Sequence, residues 1–141
     1  MAVFNKFNSF VEHLAEGVHN LQSHTLKVML TNTAPVATNS VKADLTEIAS
    51  GNGYTAGGIA PAITSSGQTS GTYKLVLADV VFTASGGSIG PFRYAVLYND
   101  TPTSPADPLI GWWDYGSALT VLDGESLNWD ADPMNGVLTL F

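Results

Sequence analysis

Clusters of Gly, Pro, Asn and Asp break this sequence about every ten residues, and runs rich in β-branched and aromatic side chains lie between them. Such runs are too short for ordinary helices and long enough for strands. In residues 24–31, Leu26, Val28 and Leu30 fall on one face and Thr25, Lys27, Met29 and Thr31 on the other, which predicts a half-buried strand. Residues 73–77 and 80–83 predict two more. Phe92, Tyr94, Val96 and Tyr98 alternate with Arg93, Ala95 and Leu97. Both faces of that strand are largely apolar, so it belongs centrally, covered on both sides. Residues 59–71 suit an edge strand and a mobile turn. Residues 109–115 form another strand, with Trp112 and Trp113 on opposite faces. Residues 118–122 and 125–130 flank Asp123-Gly124, a two-residue hairpin signal, and residues 137–141 form the last strand.

Between these runs, residues 32–40 and the proline-bearing 99–108 read as loops, and 86–91 as a turn. The stretch GNGYTAGG at 51–58 reads as a tight turn with unusual backbone. Residues 41–49 fit either an extended edge or one helical turn. Helical spacing occurs at residues 4–16, where Phe4, Phe7, Val11, Leu14 and Val18 recur every three or four positions and Phe10 widens the stripe. Gly17 stands where that helix would end. Roughly eight short strands without β–helix–β alternation exclude a doubly wound nucleotide-binding sheet. The expectation is a mainly β fold: a single-domain antiparallel β-sandwich, jelly-roll-like, over residues 1–141, with a short N-terminal helix.

Charged residues make up 12% of the 141 positions, against about 25% in an ordinary domain. Much of the surface must therefore be neutral polar, or covered by copies of the chain or by another shell. The net charge of −7 argues against nucleic acid as a partner. The absence of cysteine removes disulfides, thiolate metal sites and Cys nucleophiles, and fits folding in a reducing cytosol. No apolar run is long enough to span a membrane, and the N-terminus has no signal-peptide pattern.

Motifs for chemistry are weak. His13, His19 and His24 match no metal-binding spacing and read as chance surface placements. There is no Gly-x-Ser-x-Gly elbow, and residues 51–58 lack the ending of a phosphate loop. Asp114, Asp123, Glu125, Asp130 and Asp132 cluster late in the chain but sit at expected turns, where Asp bonds locally. The sequon at Asn99 carries no weight without a signal peptide. These readings give no catalytic residue, cofactor or metal. Tyr94, Tyr98, Trp112, Trp113, Tyr115 and Trp129 all lie in the C-terminal half, and any that face outward would favour an interface or a sugar platform.

Longer motifs carry a resemblance. They are Leu26-Lys27-Val28-Met29-Leu30-Thr31-Asn32, Gly53-Tyr54-Thr55-Ala56-Gly57-Gly58, Arg93-Tyr94-Ala95-Val96-Leu97-Tyr98-Asn99-Asp100, Leu109-Ile110-Gly111-Trp112-Trp113-Asp114-Tyr115-Gly116 and Asn135-Gly136-Val137-Leu138-Thr139-Leu140. The chain resembles small all-β virion structural proteins of tailed bacteriophages over nearly its whole length. The resemblance implies a virion location after synthesis in the host cytoplasm, and no enzymatic activity. It leaves the station in the particle open, and the first expectation is a capsid cement or decoration protein, a homo-oligomer that bridges major capsid subunits. The expected contact elements are the N-terminal segment around Phe4 and Phe7, the loop at 33–39 with Pro35 and Val36, and the loop at 99–108 with Pro102 and Pro105. Tyr98, Trp112 and Trp113 complete the set. The alternative is a carbohydrate- or receptor-binding module on a tail or fibre, with coplanar exposed aromatics drawn from Trp112 or Trp113 and Trp129 beside Asp130.

Overall fold

The computed structural model describes residues 3–141. Met1 and Ala2, at the start of the expected 1–141 domain, lie outside the described residues. Among the described residues there are nine strands and one α-helix. They are β1 (Phe4–Lys6), α1 (Asn8–Ala15), β2 (Leu26–Thr31), β3 (Ile63–Thr69), β4 (Thr72–Leu77), β5 (Val80–Thr83), β6 (Ile89–Asn99), β7 (Leu109–Val121), β8 (Ser126–Trp129) and β9 (Leu138–Leu140). All strand pairs are antiparallel, and the fold is mainly β with one short helix, as expected. The strands form three hydrogen-bonded sheets, ordered β1-β7-β6-β2, β3-β4-β9 and β5-β8. The pairing does not give the two four-stranded sheets of a jelly roll.

All three sheets contribute to one core. The four-stranded sheet supplies Val28, Leu30, Leu97, Ile110 and Trp113, the three-stranded sheet Leu75, Leu77 and Leu138, and the two-stranded sheet Val80, Phe82 and Trp129. The other face of the four-stranded sheet is also covered. There Phe7, Met29, Val96, Tyr98 and Leu109 form a second, smaller cluster with Leu45 and Trp112 against it. This explains why β6 is apolar on both faces, as the sequence predicts for a central strand. It also corrects the reading of β2 as half-buried, because Met29 and Thr31 are both fully buried.

Three local expectations change. The helix expected at 4–16 is two elements: Phe4 belongs to β1, paired with Trp113, and α1 begins at Asn8. Val11 is 46% exposed, and Phe10 is the buried anchor of the helix. The runs 109–115 and 118–122 are one strand, β7. Asp123-Gly124 does turn the chain, yet the outgoing β8 pairs with β5 rather than folding back on β7. Residues 41–49 combine both readings, a 3-10 turn at Lys42–Asp44 and an extended bridge from Glu47 to Thr31.

The outer edge of β2 is closed by irregular chain. Val28 and Ile59 exchange two backbone hydrogen bonds, of 2.8 and 3.0 Å. The next outward amide, Leu30 N–H, donates to the Tyr54 hydroxyl at 3.0 Å. Tyr54 donates in turn to Glu47 Oε2 at 2.6 Å, and the same oxygen accepts Gly57 N–H at 2.6 Å. Glu47 Oε1 faces the Lys42 ammonium at 3.2 Å. Burial and then the Glu47 contact push the Tyr54 phenol well above its ordinary range, so it stays protonated and donating. Gly58 makes this close approach feasible. Its φ is +83°, and a Cβ there would overlap the Val28 carbonyl oxygen.

Two variants test this edge. Gly58→Ala should cost at least about 2 kcal/mol, from left-handed backbone strain plus overlap. Tyr54→Phe should cost about 1–3 kcal/mol, because it strands the buried Leu30 amide, while Glu47 keeps the Gly57 amide. Urea unfolding followed by tryptophan fluorescence reads both. A Tyr54→Phe protein as stable as the parent would mean that the Leu30 amide finds another partner.

Candidate interaction surface

The three contact segments expected from the sequence meet in space. Asn8 N–H donates to the Ala37 carbonyl at 2.9 Å, joining the start of α1 to the first loop. Leu109 N–H donates to the Ser40 carbonyl at 3.0 Å and Lys42 N–H to the Asp107 carbonyl at 2.9 Å, joining the first loop to the second. Phe7 N–H donates to the Ile110 carbonyl at 3.2 Å, so the N-terminal segment is also fixed to β7.

Short polar side chains shape these loops, as their composition leads one to expect. Asn39 Oδ1 accepts Val36 N–H at 2.8 Å while Asn39 N–H returns a bond to the Val36 carbonyl. Asp44 Oδ2 accepts Ser40 N–H and Val41 N–H, and these two donors hold its carboxyl below the usual carboxylate range. In the second loop, Asp100 pairs with Lys27 at 3.1 Å. Asp107 is pushed up, first by burial and then by the Asp100 carboxylate.

The expected contact residues divide into two groups. Phe7, Pro35, Tyr98 and Trp113 are buried within this chain and offer no contact surface, which corrects the expectation for those four. For Phe7 and Tyr98 the cause is the second hydrophobic cluster, and for Trp113 it is the main core. Phe7 packs on the Trp112 ring with centroids 4.6 Å apart, and Tyr98 sends its hydroxyl to the Gly57 carbonyl at 2.6 Å. Phe4, Pro102, Pro105 and Trp112 are half-buried, and Val36 is 53% exposed. The sequence reading left out Val3 and took Val11 for part of the helix's buried stripe, yet both are exposed, at 74% and 46%. Their signal was present as apolar residues at one end of the chain, but periodicity alone assigned Val11 to a buried stripe.

The aromatic platform of the tail-module alternative does not form. Trp113 and Trp129 are buried and meet edge-on, with centroids 5.1 Å apart and planes at 83°. A cleft of 460 Å³ lies beside them, with Asp114, Asn128 and Asp130 on its rim. Its carboxylates are occupied. Asp114 takes both Arg93 nitrogens, at 2.8 and 3.1 Å, and Asp130 accepts Asp132 N–H at 2.8 Å.

The histidines are more organised than their spacing suggests. Asn99 is fully buried. Its Oδ1 accepts Thr101 N–H at 3.2 Å, which fixes the orientation of the amide. Its Nδ2 then donates to Nδ1 of His19 at 3.1 Å and of His24 at 2.9 Å. Burial favours the neutral form of His19, the form that can accept. The His13 ring stands 6.0 Å from that of His19. Chance surface placement is thus corrected for His19, which is buried. Among the described residues no group of three His, Cys, Asp or Glu is placed to hold a metal ion.

No protein-family model matches the chain, and neither a curated protein nor a solved structure matches it.

The hub sets a pH dependence. Burial, then His13 and His24, lowers His19 from 6.5 to about 4. As pH falls through 6.5 the unfolded chain takes up a proton that folded His19 refuses until about pH 4. Stability is therefore complete above 6.5 and falls between 6.5 and 4, by at most about 3 kcal/mol. The lowered carboxyls of Asp44, Asp114 and Asp132 add loss only at lower pH, while raised Asp107 acts in the opposite sense. Urea midpoints taken from about pH 7.5 to about pH 4.5 should fall, and His19→Gln, which keeps an acceptor for Asn99, should flatten the fall. Identical slopes for both proteins would remove His19 as the cause.

Proposed function

We propose that this chain is a virion structural protein of a tailed bacteriophage, a capsid cement or decoration subunit that bridges major capsid subunits and associates with its own copies. The observation that carries the reading is the stitched surface. Three segments far apart in sequence are bonded together over a sheet buried on both faces, with exposed Val36 on the first loop and half-buried Trp112 packed on Phe7. A rigid sheet under variable loops is the usual way to display contacts. The sparse charge agrees, because a repeated shell subunit gains more from neutral surface that can be covered than from charge that must be desolvated.

The mechanism is geometric. Each copy buries modest apolar and hydrogen-bonding surface on two or more shell subunits. Repetition over the shell turns weak single contacts into strong retention. The uncharged 33–39 loop loses little on desolvation, and the sheet beneath it keeps its shape.

Purified protein mixed with heads lacking it should co-sediment saturably, at hundreds of copies per head. Val36→Asp places a charge at an exposed position and should weaken that binding at least about tenfold while leaving the unfolding midpoint within about 0.5 kcal/mol. A handful of copies on tails and none on heads would transfer the protein to the tail.

A further inference from the structure

We propose that β3 is a self-pairing edge, and that two copies of this chain join β3 to β3 antiparallel about a twofold axis. The inference deepens the reading above and rests on it for its biological use, while its geometry stands apart. β3 lies at the outside of its sheet, next to β4 alone. It has seven residues, the longest of the strands that end a sheet among the described residues. β1 and β9 have three each, β5 and β8 four, and the edge of β2 is covered by residues 47–59.

The direction of its free backbone groups follows from the turn. Ser70 and Gly71 have φ of +52° and +85°, the two-residue hairpin form, so Thr69 and Thr72 are a hydrogen-bonded pair. Alternation then turns the Gly67 backbone toward β4 and the N–H and C=O groups of Ser66 and Gln68 outward. Those groups are an unpaired ladder. An antiparallel edge is its own complement under twofold rotation, so a second copy supplies every partner needed.

The usual protections are absent from β3. It has no charged residue and no proline, and its bulge sits at one end, between Ile63 and Ser65. Residues 48–73 hold no charge at all, in a chain of net charge −7. Two copies therefore repel each other least along this edge. The nearest cation, Lys74, donates to the Met134 carbonyl at 3.1 Å and is held by the 132–136 turn. A single strand pair buries less than a standard interface of about 1,600 Å², so the pairing is weak in solution and gains strength when copies are held side by side.

Sedimentation velocity of the full chain, from about 10 µM to about 1 mM, tests the inference together with hydrogen exchange at both concentrations. An ideal Cβ at Gly67 meets nothing, so two substitutions there should fold. The mean mass of the parent should climb from 14.8 kDa toward twice that value, with the Ser66 and Gln68 amides gaining protection at high concentration. Gly67→Lys should weaken association at least about tenfold, through like charges at the axis, and Gly67→Val should keep or strengthen it. A mass fixed at the monomer value would overturn the inference. So would a dimer that survives Gly67→Lys with unprotected β3 amides. A monomer that still coats heads overturns β3 pairing alone, and a β3 dimer that ignores heads overturns the capsid reading alone.

Discussion

The Tyr54 hydroxyl at the edge of β2 is the contact on which most of this architecture depends. A strand at the side of a sheet has amides that must find water or a partner. β2 cannot use water, because clusters on both sides of its sheet bury it. No further strand pairs there. Instead a phenol accepts the Leu30 amide and donates a hydrogen bond to a carboxylate that also holds a backbone amide and a lysine. This fastens the irregular chain from Lys42 to Ile59 to the sheet, and the loop that leads into it is part of the proposed contact surface. A side-chain hydroxyl here does the work of a missing strand.

A second polar centre organises the other side of the same region. Asn99 holds the connection after α1 through His19 and His24, and its own N–H donates to the Pro108 carbonyl. One buried amide thus ties two loops that share no sequence neighbourhood. Such a fully engaged group fixes a single arrangement, since any rotation leaves a buried donor or acceptor unpaired. The surface above it is shaped by polar contacts beneath, and its apolar residues are free to be covered by something else.

Much of the strand pattern was legible because its causes are local. Alternation marked β6 as central, prolines marked the 99–108 loop, and the charge-poor 59–71 segment marked an edge. Partner choice was not legible. Asp123-Gly124 specifies a turn, but pairing with β5 depends on where Val80 and Phe82 pack, and no local rule encodes that. The spacing of Phe4, Phe7 and Phe10 suits a helix, yet three residues of it extend along β7, because Phe4 gains more against Trp113 than in a helical turn. Phe7 and Tyr98 read as contact residues because their burial comes from a second cluster that the sequence does not announce. The histidine hub was invisible for a similar reason: His24 and Asn99 are 75 positions apart.

The pairing of β1 with β7 joins the two ends of the chain's history. Asn5 and Trp112 lie 107 residues apart, so β1 has no partner until most of the polypeptide exists. On a ribosome β1 must wait for β7 before it can be placed. The stitched surface includes that strand, the helix after it and the loop at 100–108, so it does not exist on a partial chain. A chain cut before β7 therefore lacks this surface altogether, however well its other strands pair.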